Sequence, residues 1–89
     1  MIPDIAVMSR GFAAGKALAD KGVPVGWNIR GVYWPDAFTM NPDAAPEDWG
    51  RGKFCVRRRG LVLHECRVAY AEVGDFWRGF VQGFEDGRV

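Results

Sequence analysis

This chain is short of the residues on which most side-chain chemistry is built. Its 89 residues include one serine, Ser9, one threonine, Thr39, and one histidine, His64. Ser9 falls in a stretch that reads as helix, where no strained nucleophile turn can form, so no serine triad is expected. There are only two cysteines, Cys55 and Cys66, too few for a secreted disulfide scaffold of this length. No run reaches the roughly eighteen apolar residues of a membrane span. The opening Met1-Ile2-Pro3-Asp4 lacks the basic start of a signal peptide. The expectation is a cytoplasmic protein with reduced thiols and no membrane partner. Charge of one sign is missing too. Twelve basic and eleven acidic residues leave a net +1, which argues against an acidic nucleic-acid mimic and against a basic nucleic-acid coat.

Apolar residues are plentiful. The hydrophobic fraction is 48%, with tryptophans at 27, 34, 49 and 77. That composition and length define one small globular domain spanning 1–89. A chain of this size buries only about 60–65% of the surface that it exposes unfolded, so its stability margin is small.

One phrase occurs twice. Arg10-Gly11-Phe12-Ala13-Ala14-Gly15 is echoed by Arg78-Gly79-Phe80-Val81-Gln82-Gly83. Each copy sets two glycines four apart on one helix face. A glycine inside a helix costs about 1 kcal/mol relative to alanine, so Gly11, Gly15, Gly79 and Gly83 imply a close backbone approach, within one subunit or across a dimer.

The first helix opens near Pro3-Asp4, with Pro3 in the first turn and Asp4 at the positive end of the dipole. Ile5, Met8, Phe12, Gly15 and Ala19 recur at helical spacing as its inner face, and Lys21-Gly22 followed by Pro24 ends it. Val25 to Trp34 alternates as a strand, with Trp27, Ile29 and Tyr33 on one side and Asn28, Arg30 and Trp34 on the other; Gly31 is a candidate bulge. Residues 35–50, rich in proline and acid, form a long irregular loop with one short helical turn near Ala45 to Trp49. Its length makes it either functional or poorly ordered.

Lys53 to Arg58 and Leu61 to Tyr70 read as a hairpin turning at Arg59-Gly60. Phe54 and Val56 mark one face of the first strand, while Val62, Val68 and Tyr70 mark one face of the second. A three-residue turn would bring those sets together and is the register expected. The last helix runs from an N-cap at Asp75 to about Glu85, with Phe76, Trp77, Phe80, Val81 and Phe84 as its apolar stripe. The fold class is therefore α+β, in the order α-β-β-β-α, an antiparallel three-stranded sheet with two terminal helices packed on it. Double-stranded RNA-binding domains share this element order, but their last helix opens on a lysine cluster. This chain has Asp75, Phe76, Trp77 and Arg78 there, so only the order is shared.

Few constellations carry chemistry. Gly15-Lys16 misses the phosphate-loop pattern, because Gly11 is one residue too close and Ala17 replaces the magnesium-binding hydroxyl. His64 and Cys66 share a strand face, but the expected turn puts Cys55 on the other one. No metal, no cofactor and no catalytic residue is therefore expected. Charge is segregated instead. Asp36, Asp43, Glu47 and Asp48 are followed by Arg51, Lys53, Arg57, Arg58 and Arg59. The candidate partner-binding set is Arg57, Arg58 and Arg59 at the hairpin tip with Trp34 and Trp49 beside it. Trp49 is equally suited to pinning the loop. The expected function is non-catalytic binding of a protein or nucleoprotein complex. Small inhibitors of host defence carried by phages or mobile elements, such as anti-CRISPR proteins, fit that size and lack of chemistry. Two alternatives stay open: a nucleic-acid-binding module using the arginine tip, and a homodimer packed through the glycine faces.

Overall fold

The computed structural model describes residues 2–23 and 28–87. The fold is α+β in the order α-β-β-β-α, with a three-stranded antiparallel sheet between helices at the two ends of the chain. The helices are α1 (Ile5–Asp20) and α3 (Val73–Gly87); the strands are β1 (Arg30–Pro35), β2 (Arg51–Arg58) and β3 (Leu61–Ala69); a short α2 (Ala37–Met40) follows β1. By contact density the chain divides into Met1–Asn28 with Gly74–Val89, and Ile29–Val73.

In the first unit the two helices lie side by side and parallel. A Cβ placed on Gly11 would strike the Phe76 carbonyl oxygen, and one on Gly15 would strike that of Phe80. Reciprocally, Gly79 meets the Met8 carbonyl and Gly83 that of Phe12. Each glycine therefore sits over the carbonyl three residues before its counterpart in the other copy of the repeated phrase, which makes the pair a local pseudo-twofold. A glycine hydrogen occupies each Cβ position and points at a carbonyl oxygen. Such Cα–H···O contacts are worth about 0.5–1 kcal/mol each. The glycine faces are thus filled by one another within a single chain.

Parallel helices bring two positive dipole ends together, and two carboxylates meet them. Asp4 is the N-cap of α1, accepting from the Val7 amide at 3.2 Å, and its own N–H donates to Asp75 Oδ2 at 2.9 Å. Pro3 therefore precedes the helix instead of lying in its first turn. Asp75 lies inside α3 and is not its N-cap, because a 3₁₀ turn, Tyr70–Glu72, runs directly into that helix. At the far end of α1 the Lys21 and Gly22 amides reach back to Leu18 and Ala19, and Gly22 takes φ +83°, the left-handed stop expected of glycine.

The glycine contact also sets the phase of α1, and here the sequence expectation needs correction. The buried residues are Val7, Gly11, Gly15, Leu18 and Ala19. Ile5 is 68% exposed and Phe12 38% exposed. The small face turned inward because only it permits the approach. On α3 the expected stripe holds at Phe76, Phe80 and Phe84, which are buried, while Trp77 and Val81 are half-buried.

In the second unit, β1 is shorter than the sequence implied. The part of that reading on Val25, Gly26 and Trp27 lies outside the described residues, as does Pro24 of the expected helix stop. Gly31 pairs regularly with Val56, without a bulge. The hairpin also departs from expectation. Arg58 pairs with Leu61, so the turn has two residues, Arg59 and Gly60, at φ +50° and +80°. The bulge comes later. Val56 pairs with His64 but Arg57 with Val62, leaving Leu63 as the extra residue. That single insertion brings Phe54, Val56 and Val68 onto one face, as the three-residue turn would have done, and sends Val62 to the other.

The 35–50 segment is ordered by aromatic contact. Trp49 packs at 4.7 Å from Tyr70 and 5.4 Å from Phe38, and its Nε1 donates to the Ala44 carbonyl at 2.9 Å. A 3₁₀ turn at Pro46–Asp48 supplies the short helical turn expected there, and α2 is a second one.

Gly79→Ala should therefore destabilise the fold, by about 1–3 kcal/mol, since the new methyl meets backbone that cannot yield without separating the helices. Gly74 has nothing within 4 Å of its Cβ position, and Gly74→Ala should be neutral or mildly stabilising. Urea unfolding of both variants distinguishes the glycine contact from a general intolerance of substitution.

Candidate binding surface

Strand alternation sorts the second unit's charges. Arg30, Val32 and Trp34 on β1 share a face with Arg57, Cys55 and Lys53 on β2, because those residues are direct cross-strand partners. Glu65 and Arg67 on β3 continue two of these rows, and Val62 continues the third beyond the bulge.

Two cations on this face are matched. Lys53 Nζ stands 3.8 Å from Glu65, and Arg67 pairs with Asp36. That hydrogen bond and the carboxylate's charge raise the Arg67 pKa above its ordinary value. Three arginines are different. Arg30, Arg57 and Arg59, with Val32 and Gly60, line a concavity of about 300 Å³. Among the described residues no carboxylate lines it, and neither Arg30 nor Arg59 has an ion-pair partner. Arg57 is steadied by donation from Nη2 to the Gly60 carbonyl at 3.1 Å.

Of the residues singled out from sequence, the structure brings Arg57 and Arg59 together and leaves Trp34 exposed on the same face. Arg58 points to the opposite side of β2 and is half-buried, its pKa pushed down by desolvation and then by the charge of Arg59. Trp49 is half-buried in the aromatic cluster and serves the loop. Arg30 was read onto the face of Trp34 by alternation but was not counted in the binding set, because its approach to Arg57 depends on a strand register that no local turn encodes.

Trp34 is 61% exposed, with its ring at 89° to Phe38 and 5.1 Å from it. A second concavity, in the helical unit, is lined by Ile5, Met8, Ser9, Phe12, Gly79 and Gln82. It is apolar and carries no charge.

Cys55 and Cys66 are free thiols on opposite faces of the sheet. Among the described residues no group of three His, Cys, Asp or Glu side chains could hold a metal ion. Burial, the charge of Glu65 and a contact from Sγ to Glu65 Oε2 at 3.8 Å push the Cys55 thiol above its ordinary pKa. No helix among the described residues is long and apolar enough to cross a membrane. No family model, curated protein or solved structure matches the chain.

A raised thiol pKa means less thiolate at a given pH. In a Cys66→Ala background, alkylation of Cys55 near pH 8 should therefore speed up on Glu65→Gln substitution. The difference should vanish at high pH, where both forms are thiolate. Equal rates near pH 8 would show that Glu65 does not act on the thiol.

Proposed function

We propose that this protein is a non-catalytic binding protein, cytoplasmic in setting, that engages an anionic surface of a macromolecular partner through Arg30, Arg57 and Arg59. The observation that carries this reading is a coincidence of two locally unfavourable choices at one concavity. Arg30 and Arg57 are directly opposed across an antiparallel pair, where like charges destabilise. Arg59 occupies a left-handed turn position that favours asparagine or glycine. Neither choice helps the fold. An incoming carboxylate or phosphate would satisfy both, since planar guanidinium forks donate bidentately to such groups.

Inhibition of a host defence complex is one use such a contact would serve, and a protein or nucleoprotein partner offers the required negative surface. The glycine faces do not supply a second interface, because they are occupied within the chain.

The test is affinity capture of the native partner with the wild type and with an Arg30→Gln, Arg57→Gln, Arg59→Asn variant. Asparagine keeps the turn, and removing the opposed charges leaves the melting temperature unchanged or higher. Partner binding should fall by well over tenfold and, in the wild type, weaken with salt. A partner retained at full strength by the variant would move the interface elsewhere.

A further inference from the structure

The chemistry of the surface around the concavity narrows the partner, on the premise that the arginine contact proposed above is real. We infer that this face takes a single-stranded nucleic acid, with phosphodiester groups in the Arg30–Arg57–Arg59 concavity and an unstacked base against Trp34.

Three observations converge. The concavity holds guanidinium groups and no lining carboxylate, which suits phosphate oxygens. Arg30, Val32 and Trp34 alternate on one face of β1, so the indole stands four residues from Arg30, about 13 Å along the strand. That separation calls for an extended polyanion and exceeds the reach of one free phosphate. Finally, Trp34 is exposed although its ring is held against Phe38, which leaves a fixed aromatic surface available.

A run of acidic residues alone would satisfy the arginines but bring no flat ring to Trp34. Every nucleotide of a single strand carries both a phosphate and a π-face, and stacking on aromatic side chains over a basic track is how such strands are held without sequence preference. A duplex keeps its bases stacked and offers Trp34 nothing. The cations beside Trp34, Lys53 and Arg67, are already paired with Glu65 and Asp36, so affinity rests on few phosphates. The net charge of +1 agrees with a local site and not a coat.

The probe is a labelled oligothymidylate of about twelve nucleotides, a length within known single-strand site sizes, followed by fluorescence anisotropy and tryptophan quenching. Saturable binding is expected, with log Kd against log salt having a slope of magnitude about 2, for roughly three phosphates. The Arg30→Gln, Arg57→Gln, Arg59→Asn variant should lose at least tenfold and flatten the slope. Trp34→Ala should lose about fivefold or more and abolish part of the quenching, while a duplex of equal length binds more weakly. Absent binding, binding that ignores the arginine changes, or equal affinity for duplex without dependence on Trp34 would overturn the inference. If the oligonucleotide fails but poly-glutamate binds through the arginines, the partner is an acidic protein and the broader reading stands. If neither probe binds and capture of the native partner is indifferent to the arginines, both readings fall.

Discussion

Four glycine-to-carbonyl contacts between α1 and α3 govern how the ends of this chain are arranged. Helix axes come this close only where no Cβ intervenes, and the repeated phrase places its glycines so that each helix offers the other the same surface. The contacts join Gly11 to Phe76 and Gly15 to Phe80, and Gly79 to Met8 and Gly83 to Phe12. Residue numbers rise together, so the helices are parallel. A chain that leaves α1 at its C-terminal end must then travel back by a helix length, about 24 Å for sixteen residues, before starting α3. The Asp4 and Asp75 carboxylates at the paired N-termini follow from the same constraint, since antiparallel helices would not have placed two positive ends together.

The hairpin shows a second economy. With a two-residue turn and no bulge, Phe54 would oppose Glu65 and Cys55 would oppose His64, setting a charged side chain beside a buried phenyl ring. Leu63 absorbs one residue, and the register below it becomes Phe54 with Cys66 and Gly52 with Val68. Above the bulge, Arg57 and Arg58 follow the turn rather than the core. The tip is therefore free to follow the turn while the apolar rows keep their own register; the opposition of Arg57 to Arg30 is set separately, by the unbroken β1–β2 pairing.

These two devices explain what could be read in the sequence and what could not. The element order, both helices and the Arg59-Gly60 turn were legible because each rests on local patterns: periodicity, a glycine stop, a pair of turn residues. The phase of α1 was not. Ile5, Met8 and Phe12 make a better apolar stripe than Val7, Gly11 and Leu18, and only the partner helix decides that smallness outweighs hydrophobicity. The bulge was equally hidden, because a three-residue turn and a two-residue turn with a later insertion sort Phe54, Val56 and Val68 identically. Arg57, Arg59 and Trp34 were legible as exposed candidates. Arg30 was not, since the fifteen residues between β1 and β2, Asp36 to Gly50, leave their register to tertiary contact.

The arginine concavity is best understood against the charges around it. A sheet face meant only for solvent would be expected to distribute its acids among its bases, and this one does so for Lys53 and Arg67. At the other end the matching stops. Replacing Arg30, or placing glycine or asparagine at residue 59, would remove no hydrogen bond or ion pair that the structure shows. Local choices that oppose stability are concentrated where a protein meets something else. Here they sit on the rim of one concavity, on the same face as an aromatic ring that the core does not use. Burial explains neither feature, whereas the extended anion bearing flat rings proposed above would engage both.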